Sequence, residues 1–459
     1  MKKHFTKIIA ILIFILPSLG LHAQERWNFQ LTMSDNEFGP VNMILYLDKN
    51  ANTFTLHSTK NADKRIVGCF KATLVRAMKK LPKGGVFIKM TDGKIISQNA
   101  GTDSLYGIFR IPMIGVKPFK GIEKSGEITG GLYDKGNSIA TLKGVRVDLS
   151  FKYNYSDLPQ MIFDTTRKYI FDKSLLDGPE WRRFEKKTRK IASKAVDDVE
   201  MFFGVNMLAP KLPFSHFNLL LMTAQQSNNL LKQSSSGNVV WKELSTETAY
   251  VEIKNFGGDA EEMDSVFLQV LKHSYKNLIV DLRKNPGGGL QAGIAFGKYV
   301  SSKEINAGYF VTNKWFANPD NRQNPKFEFL PATQAKTTSE FIEELKNSPG
   351  KNLILKPGKV VFGGKIYVLT SKNTASTCEP IVDALKRNKM ATIIGEKTAG
   401  AMLSATLIQI KDNYFLFLPI ADYYTSDKRR LDQVGVEPDI ETAADKALER
   451  ALDLINLKK

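Results

Sequence analysis

Three short segments carry residue types suited to acyl-transfer chemistry. The first, DLRKNPGGG, places Gly287, Gly288 and Gly289 after the apolar run LIVDL, with four residues between. Glycines let backbone N–H groups approach a ligand closely, and a following helix N-terminus favours negative charge. This suits an oxyanion or a phosphate, although the spacing matches neither common nucleotide-binding loop. A plain tight turn is the alternative for this segment alone.

The second segment, TSKNTASTCEP, places Ser376 in a sharp turn between an apolar strand and a helix. A serine in such a turn exposes its hydroxyl, as in a nucleophile elbow, although the motif G-x-S-x-G is absent. The N–H of Thr377 would then face the site. The alternative is a helix cap in which Ser376 and Glu379 form a capping box. The third segment, GEKTAG, is a further strand-end loop.

The elements around these segments indicate a multidomain protein. Strands alternate with helices over 238–459, which predicts an α/β core, and the polar stretch 307–357 predicts an insertion into it. Over 155–235 the apolar residues recur near a period of 3.6, which predicts a small helical domain. Short apolar runs between turn residues over 25–150 predict an all-β domain, either a sandwich or a small barrel.

The order of these segments resembles that of the tail-specific, or C-terminal-processing, serine peptidases. A strand YVEI precedes them and VGVEPD follows, so the resemblance covers about 200 residues but not the N-terminal β-region. It implies a crotonase-like core of ββα repeats, Ser376 as nucleophile, and a peptide or protein substrate. Many members carry a PDZ module before the core. Here the interval between His216 and Tyr250 is too short for one.

The resemblance also bears on the base that would activate the serine. One branch of the family uses a lysine directly after G-E-x-T-x-G, but that position is Ala401 here, and Lys397 lies elsewhere in the loop. The other branch resembles the tricorn protease core and takes a Ser-His pair from a preceding helical segment. This implies Ser215 and His216, with His216 as general base; a satisfied histidine in an apolar setting is the alternative.

The same branch implies an orienting carboxylate and an oxyanion hole. Its glutamate position near G-V-x-P-D is occupied here by Asp432, which is one methylene shorter. The oxyanion would be held by the N–H of Thr377 together with that of Gly287 or Gly288. No cofactor and no metal are implied. Because Asp432 departs from the pattern, a catalytically inactive peptide-binding or envelope interaction protein on the same fold is the alternative function.

The amino-acid composition excludes several classes of protein. The chain has 459 residues, is 42% hydrophobic and 24% charged, and has only 2 Cys. These values predict a globular protein without a disulfide framework or a cysteine-rich zinc site. The net charge of +18 is spread along the sequence, so we expect no nucleic-acid partner, although an anionic envelope surface could attract it. The composition leaves the oligomeric state open.

The first 23 residues are typical of a secretory signal peptide. Three lysines precede the apolar stretch Ile8 to Leu19, and Ala23 offers a small residue for cleavage. No cysteine follows, which argues against a lipid anchor, while an uncleaved anchor is the alternative. Removal lowers the net charge to +15 and leaves three of the 5 His: His57, His216 and His273. The sequence thus predicts an exported protein that is periplasmic, envelope-associated or secreted, with no later membrane span.

Overall fold

The computed structural model describes residues 24–34, 39–68, 85–98, 101–112, 114–230, 237–257 and 260–456. The predicted signal peptide and Cys69 lie outside these ranges. The described chain divides into two compact units. Of the described residues, the first unit takes those within 24–31, 43–64 and 68–151, and the second takes those within 32–42, 65–67 and 152–456. No helix within the described ranges is long and apolar enough to cross a membrane.

The first unit is built on a closed eight-stranded barrel, whose strands follow one another in chain order. The strands are β1 (Glu25–Met33), β2 (Val41–Lys49), β3 (Thr53–His57), β4 (Lys89–Gln98), β5 (Thr102–Ile111), β6 (Gly115–Lys124), β7 (Glu127–Asp134) and β8 (Asn137–Val147); helix α1 (Ala62–Val67) follows β3.

Side chains fill the barrel interior. Phe109 and Phe119 meet edge to face, with ring centroids 5.6 Å apart. Glycines in the barrel strands leave room for the aromatic rings, since a Cβ at Gly144 would lie only 2.5 Å from the ring of Phe29. The prediction of an all-β N-terminal region is confirmed, and the barrel is the form it takes. His57 is buried in β3 and bonded to the carbonyl of Ser58.

The second unit begins with helices. These are α2 (Leu158–Tyr169), α3 (Pro179–Ala192), α4 (Asp198–Asn206) and α5 (Ala224–Leu230). Helices α3 and α4 are separate because Asp197 caps a new helix by accepting the N–H of Glu200. The helices belong to the same compact unit as the α/β core, so the small separate helical domain predicted over 155–235 is not observed.

Two sheets and their helices form the core. The strands are β10 (Val239–Ser245), β11 (Thr248–Ile253), β12 (Asn277–Asp281), β13 (Ile305–Thr312), β14 (Gly350–Leu355), β15 (Lys365–Thr370), β16 (Thr392–Gly395), β17 (Leu403–Lys411), β18 (Tyr414–Thr425) and β19 (Ile440–Glu441). The helices are α6 (Ala260–Val270), α7 (Leu290–Val300), α8 (Asn313–Phe316), α9 (Pro319–Gln323), α10 (Thr338–Asn347), α11 (Cys378–Arg387) and α12 (Ala447–Asn456). The first sheet has the order β10-β11-β12-β15-β16-β19 and is parallel from β11 onward.

The second sheet corrects the predicted insertion. Its order is β14-β13-β18-β17, with strand β9 (Asn218–Leu221) also paired to β18. The stretch 307–357 therefore begins and ends as sheet, because β13 and β14 pair with each other and β13 pairs with β18. Only the part between them, which carries α8 to α10, departs from the sheet. The polar residues that suggested one long insertion belong to that helical excursion.

Strand β9 fixes the chain directly after His216. It pairs antiparallel with β18, so that Asn218 lies opposite Phe417. On its other side, the side-chain amide of Asn206 donates to the carbonyl of Leu219 and accepts the N–H of the same residue, both at 2.8 Å. Helix α4, through Asn206, and strand β18 thus hold β9 from both sides. His216, two residues before β9, is positioned by these contacts.

A buried carboxylate strengthens this connection. Oδ1 of Asp198, at the start of α4, accepts the hydroxyl of Tyr155 at 2.8 Å and that of Tyr414 in β18 at 2.6 Å. All three residues are buried. Burial, together with the neighbouring acidic charge, raises the pKa of both tyrosines, so they remain hydrogen-bond donors. The helical segment is therefore bonded directly to the strand that pairs with β9.

We expect Asp198→Ala to lower the free energy of unfolding by about 2–4 kcal/mol, because two buried hydroxyls lose their acceptor. Asp198→Asn, which keeps one acceptor oxygen, should lose less. Urea unfolding of the full chain, followed by circular dichroism, measures the difference. Asp164→Ala is the control, because its ion pair with Arg167 is exposed and contributes little. Equal losses at the two positions would contradict this role of Asp198.

Candidate active site

Ser376 lies in the turn between β15 and α11, as the sequence predicts. Its φ is +53°, a left-handed conformation that costs energy for any residue with a Cβ. Two hydrogen bonds hold the turn in place: the N–H of Ser376 donates to the carbonyl of Ala401 at 3.1 Å and to Oε2 of Glu379 at 3.2 Å. The surrounding loops therefore impose a conformation that the serine would not adopt alone.

Glu379 ties the serine turn to the GEKTAG loop. Its buried carboxylate accepts the hydroxyl of Thr398 at 2.6 Å and the N–H groups of Gly400 and Ala401 at 2.8 and 2.9 Å. Burial raises the pKa of Glu379, and these hydrogen bonds oppose the rise. The predicted capping box is thus formed only in part: Glu379 reaches back to the N–H of Ser376, but the same carboxylate also organises a second loop.

The glycine loop packs directly against Ser376. A Cβ at Gly287, whose φ is +100°, would lie 2.5 Å from Cβ of Ser376 and 3.1 Å from its Oγ. The N–H of Gly287 donates to Oδ1 of Asn285 at 2.8 Å, so this group is not free to bind an oxyanion. Of the two glycines predicted for that role, Gly287 therefore provides space, and its amide orients the loop.

Gly288 and Thr377 provide the free amide groups. Neither N–H makes a hydrogen bond to any residue in the described part of the chain. The hydroxyl of Thr377 donates to the carbonyl of Gly288 at 2.7 Å, which holds the two peptide segments together. Two unpaired backbone donors on segments adjoining a serine can stabilise negative charge on an attacked carbonyl oxygen.

His216 forms a relay with Ser215 and Asp432. Nδ1 of His216 is 2.6 Å from Oγ of Ser215, which in turn donates to Oδ1 of Asp432 at 2.6 Å. A serine hydroxyl has one proton, and here the fully buried carboxylate receives it. Nδ1 must therefore be the donor of the remaining bond. The imidazole is held as the Nδ1–H tautomer, and Nε2 is left as the basic nitrogen.

The electrostatics keep this imidazole neutral. Burial lowers the pKa of His216 below its ordinary value, and the charge of Asp432 opposes the shift. Arg430 donates to Oδ2 of Asp432 at 3.3 Å and to Asp422 at 2.7 Å, so both oxygens of Asp432 are engaged. A neutral histidine with an unprotonated Nε2 is suited to accept a proton.

Backbone hydrogen bonds link the two groups of residues. The N–H of Gln433, next to Asp432, donates to the carbonyl of Gly400 at 2.7 Å, and the adjacent Ala401 accepts from Ser376. Within the described residues, no hydrogen bond joins His216 to Ser376 itself. The structure brings Ser215, His216 and Asp432 together, and it brings Ser376, Thr377 and the glycine loop together. Both groups adjoin the same loop.

The other candidates have different environments. Lys397 is half exposed and pairs with Glu437 at 2.7 Å, which is a surface ion pair. Cys378 is fully buried; burial raises the pKa of its thiol well above the ordinary value, as expected of a packed side chain and not of a nucleophile. His273 is exposed. Of the three histidines in the described chain, only His216 is bonded to a buried carboxylate through a hydroxyl.

The sequence did not reveal the roles of three residues of the site. Asn285 orients the glycine loop, Glu379 joins two loops, and Arg430 holds the second oxygen of Asp432. The first two stand within the motifs, but the motif text does not say which hydrogen bonds they form. Arg430 lies two residues before Asp432, and alternation along an extended chain would have placed both side chains on one face.

A strained serine beside two unpaired backbone amides, at the end of a parallel strand, is the arrangement of a serine hydrolase. The sequence model of peptidase family S41 matches residues 247–442. This match confirms the resemblance drawn from the motifs.

Two curated relatives share this region. A carboxyl-terminal-processing protease of Synechocystis sp. is 27% identical over 219 residues, 45% of this chain and 43% of the relative. A carboxy-terminal-processing protease of Bartonella bacilliformis is 30% identical over 165 residues, 36% of this chain and 30% of the relative. The chain thus spans less than half the length of these relatives.

Solved structures show a partial likeness. The photosystem II D1 C-terminal processing protease matches with a TM-score of 0.39 at 14% identity, over 64% of this chain and 94% of that one. The tricorn protease matches with a TM-score of 0.44 at 10% identity, over 94% of this chain and 58% of that one.

We expect Gly287→Ala to abolish the reactivity of Ser376 toward a fluorophosphonate, because the new methyl group would occupy the space of the serine side chain. Covalent labelling, measured by intact mass, tests this. Gly363→Ala is the matched control, since a Cβ at Gly363 meets nothing within 4 Å and should leave labelling unchanged. Normal labelling of Gly287→Ala would show that the glycine loop does not pack on the serine as described.

Proposed function

We propose that this protein is a serine peptidase that hydrolyses peptide bonds through an acyl-enzyme on Ser376, with His216 as general base. The observation that carries the proposal is the hydrogen-bonded relay from His216 through Ser215 to Asp432. It favours the one tautomer in which Nε2 can accept a proton. The match of 247–442 to peptidase family S41 supports the same reaction.

The reaction would proceed in two halves. Nε2 of His216 removes the hydroxyl proton of Ser376 as Oγ attacks the peptide carbonyl. The resulting imidazolium is stabilised by the charge of Asp432, transmitted through Ser215. It then returns the proton to the leaving amine, and the acyl-enzyme forms. Water, activated by the same imidazole, attacks the acyl-enzyme and releases the second product. Closure onto a substrate would shorten the Nε2 to Oγ approach, since apo geometries are often loose.

Negative charge on the carbonyl oxygen would be met by the N–H groups of Gly288 and Thr377. Each such donor contributes roughly 3–4 kcal/mol to an acyl-transfer transition state. Both are backbone groups, and the bond between Thr377 and Gly288 sets their spacing before substrate arrives. We assign the predicted oxyanion role to Gly288 and Thr377, and a supporting role to Gly287.

The shorter carboxylate is compatible with this mechanism. Asp432 does not need to reach the imidazole, because Ser215 spans the gap with two bonds of 2.6 Å. Arg430 fixes the carboxylate from the other side at 3.3 Å. The missing methylene is thus offset by the serine bridge, and the site resembles the Ser-His branch of the family more than the lysine branch.

The likeness to peptidase family S41 supports further inferences about fold, substrate and location. We infer a crotonase-like arrangement of the core, peptide or protein substrates, and an exported location that rests on residues 1–23. The alternative is an inactive protein that binds peptides or an envelope partner on the same fold. The lack of a hydrogen bond between His216 and Ser376 in the described structure favours that alternative, and the labelling experiment decides between them.

We expect a fluorophosphonate to label the wild type once, at Ser376, because only an activated hydroxyl reacts with it. Ser376→Ala should abolish labelling, and His216→Ala should slow it at least about 100-fold, the scale of general-base catalysis. Mass spectrometry of timed reactions measures both. His273→Ala is the control, since that side chain is exposed and should not matter. An unlabelled wild type would support the binding-protein alternative, and equal labelling of all variants would refute the mechanism.

We expect the acid limb of kcat/KM for peptide hydrolysis to lie below pH 6.5, because burial lowers the pKa of His216 and its neutral form is the active one. In Asp432→Asn the carboxylate no longer favours the imidazolium. The limb should therefore move to lower pH, while the plateau falls roughly 100-fold or more.

Asp427→Asn is the control for this profile, because Asp427 has its own partner in Arg429 and is not bonded to the relay. It should leave both limb and plateau unchanged. A limb that moves to higher pH in Asp432→Asn would mean that Asp432 does not act on the base as proposed.

A further inference from the structure

A cleft in the helical segment is not used by the proposed mechanism. It has a volume of about 200 Å³ and lies between α3 and the segment that precedes Ser215. We call it the α3 cleft; it is lined by Pro179, Glu180, Arg183, Phe184, Lys187, Leu208, Lys211 and Leu212. Its lining combines an apolar floor with a charged rim, so it is suited to a ligand that has both characters.

The floor of the α3 cleft is apolar and solid. Phe184 and Leu212 are buried, at 3% and 5% exposure. Phe184 stacks against Trp181 and meets Phe217 edge to face, each at 5.2 Å between centroids. These contacts leave the floor little freedom to collapse into the cleft. An empty space bounded by a rigid apolar floor gains stability when an apolar group fills it.

The rim carries unbalanced positive charge. Arg183, Lys187 and Lys211 line the cleft, and none of them forms an ion pair with a residue in the described ranges. Glu180 is the one acidic group in the lining, so cations outnumber acids by three to one. Burial, and then the charges of Arg183 and Lys211, lower the pKa of Lys187, so these cations lie close enough to repel one another.

We propose that the α3 cleft binds a carboxylate attached to a short apolar group. The carboxylate would lie among Arg183, Lys187 and Lys211 at the exposed rim, and the apolar group would cover Phe184 and Leu212. A cavity of about 150 Å³ with apolar walls holds benzene, so the α3 cleft has room for one aromatic or branched aliphatic group but not for a long chain. Such a carboxylate is found at the C-terminus of a peptide and in small free acids.

The experiment uses the full chain carrying Ser376→Ala, so that binding is measured whether or not the protein is a peptidase. Phenylacetate and the neutral phenylacetamide are titrated by calorimetry at pH 7. We expect phenylacetate to bind at least about ten-fold more tightly, because charge-assisted bonds to the rim require the carboxylate. Added salt should weaken the binding of phenylacetate and leave the binding of phenylacetamide unchanged. Equal affinities, or no binding of either compound, would overturn the proposal.

Variants locate the binding. Lys187→Gln and Lys211→Gln should each weaken phenylacetate at least about five-fold. Lys186→Gln is the matched control, since Lys186 is an exposed neighbour on the same helix and does not line the cleft. If Lys186→Gln weakened binding as much as Lys187→Gln, a general attraction to positive charge would account for the data and the site would be refuted.

Two dipeptide probes decide the source of the carboxylate. N-acetyl-Gly-Phe with a free carboxyl group and the same dipeptide as an amide are each titrated, and their affinities are compared with that of phenylacetate. Tighter binding of the free-acid dipeptide would assign the cleft to peptide C-termini, while equal binding of the two acids would assign it to small free acids. Binding of the dipeptide amide as tight as that of the acid would contradict a carboxylate site.

Discussion

The candidate site depends on where one proton lies. The hydroxyl of Ser215 has a single hydrogen, and the buried carboxylate of Asp432 takes it at 2.6 Å. The imidazole of His216 must then donate from Nδ1, which leaves Nε2 basic. Through the Ser215 bridge an aspartate sets the tautomer of the ring, and its negative charge lies one group away from the imidazole.

This arrangement explains why the helical segment and the α/β core form one unit. The core supplies Ser376 and the free amides, and the helical segment supplies His216, so a small shift between them would separate the proposed nucleophile from the proposed base. The segment after His216 is therefore hydrogen-bonded on one edge to β18 and on the other to Asn206. Glu379 performs the corresponding task within the core, because its four accepted hydrogen bonds connect the serine turn to the loop beside Asp432.

The sequence predicted the loops that carry the candidate site, but it did not predict the contacts formed between distant segments. Strand-end loops predicted the place of Ser376 and the glycine loop, since parallel strands bring their carboxyl ends to one edge. Which of Gly287 and Gly288 has a free N–H depends on a hydrogen bond that Asn285 accepts from Gly287, and no spacing rule reveals that bond. The strands at the ends of 307–357 were missed because β13 pairs with the distant strand β18, and β14 pairs with β13 across the helical excursion. Long-range hydrogen bonds, and not local propensity, decided these points.

Ser376 and His216 share one further property. Both have a positive φ, +53° and +58°, in a region where a side chain costs about 1–2 kcal/mol. The two residues on which the proposed chemistry rests are thus ones that the fold would more easily tolerate as glycine. Keeping a serine and a histidine at these two turns therefore costs backbone strain that glycine would relieve, and the contacts around each turn must offset that cost.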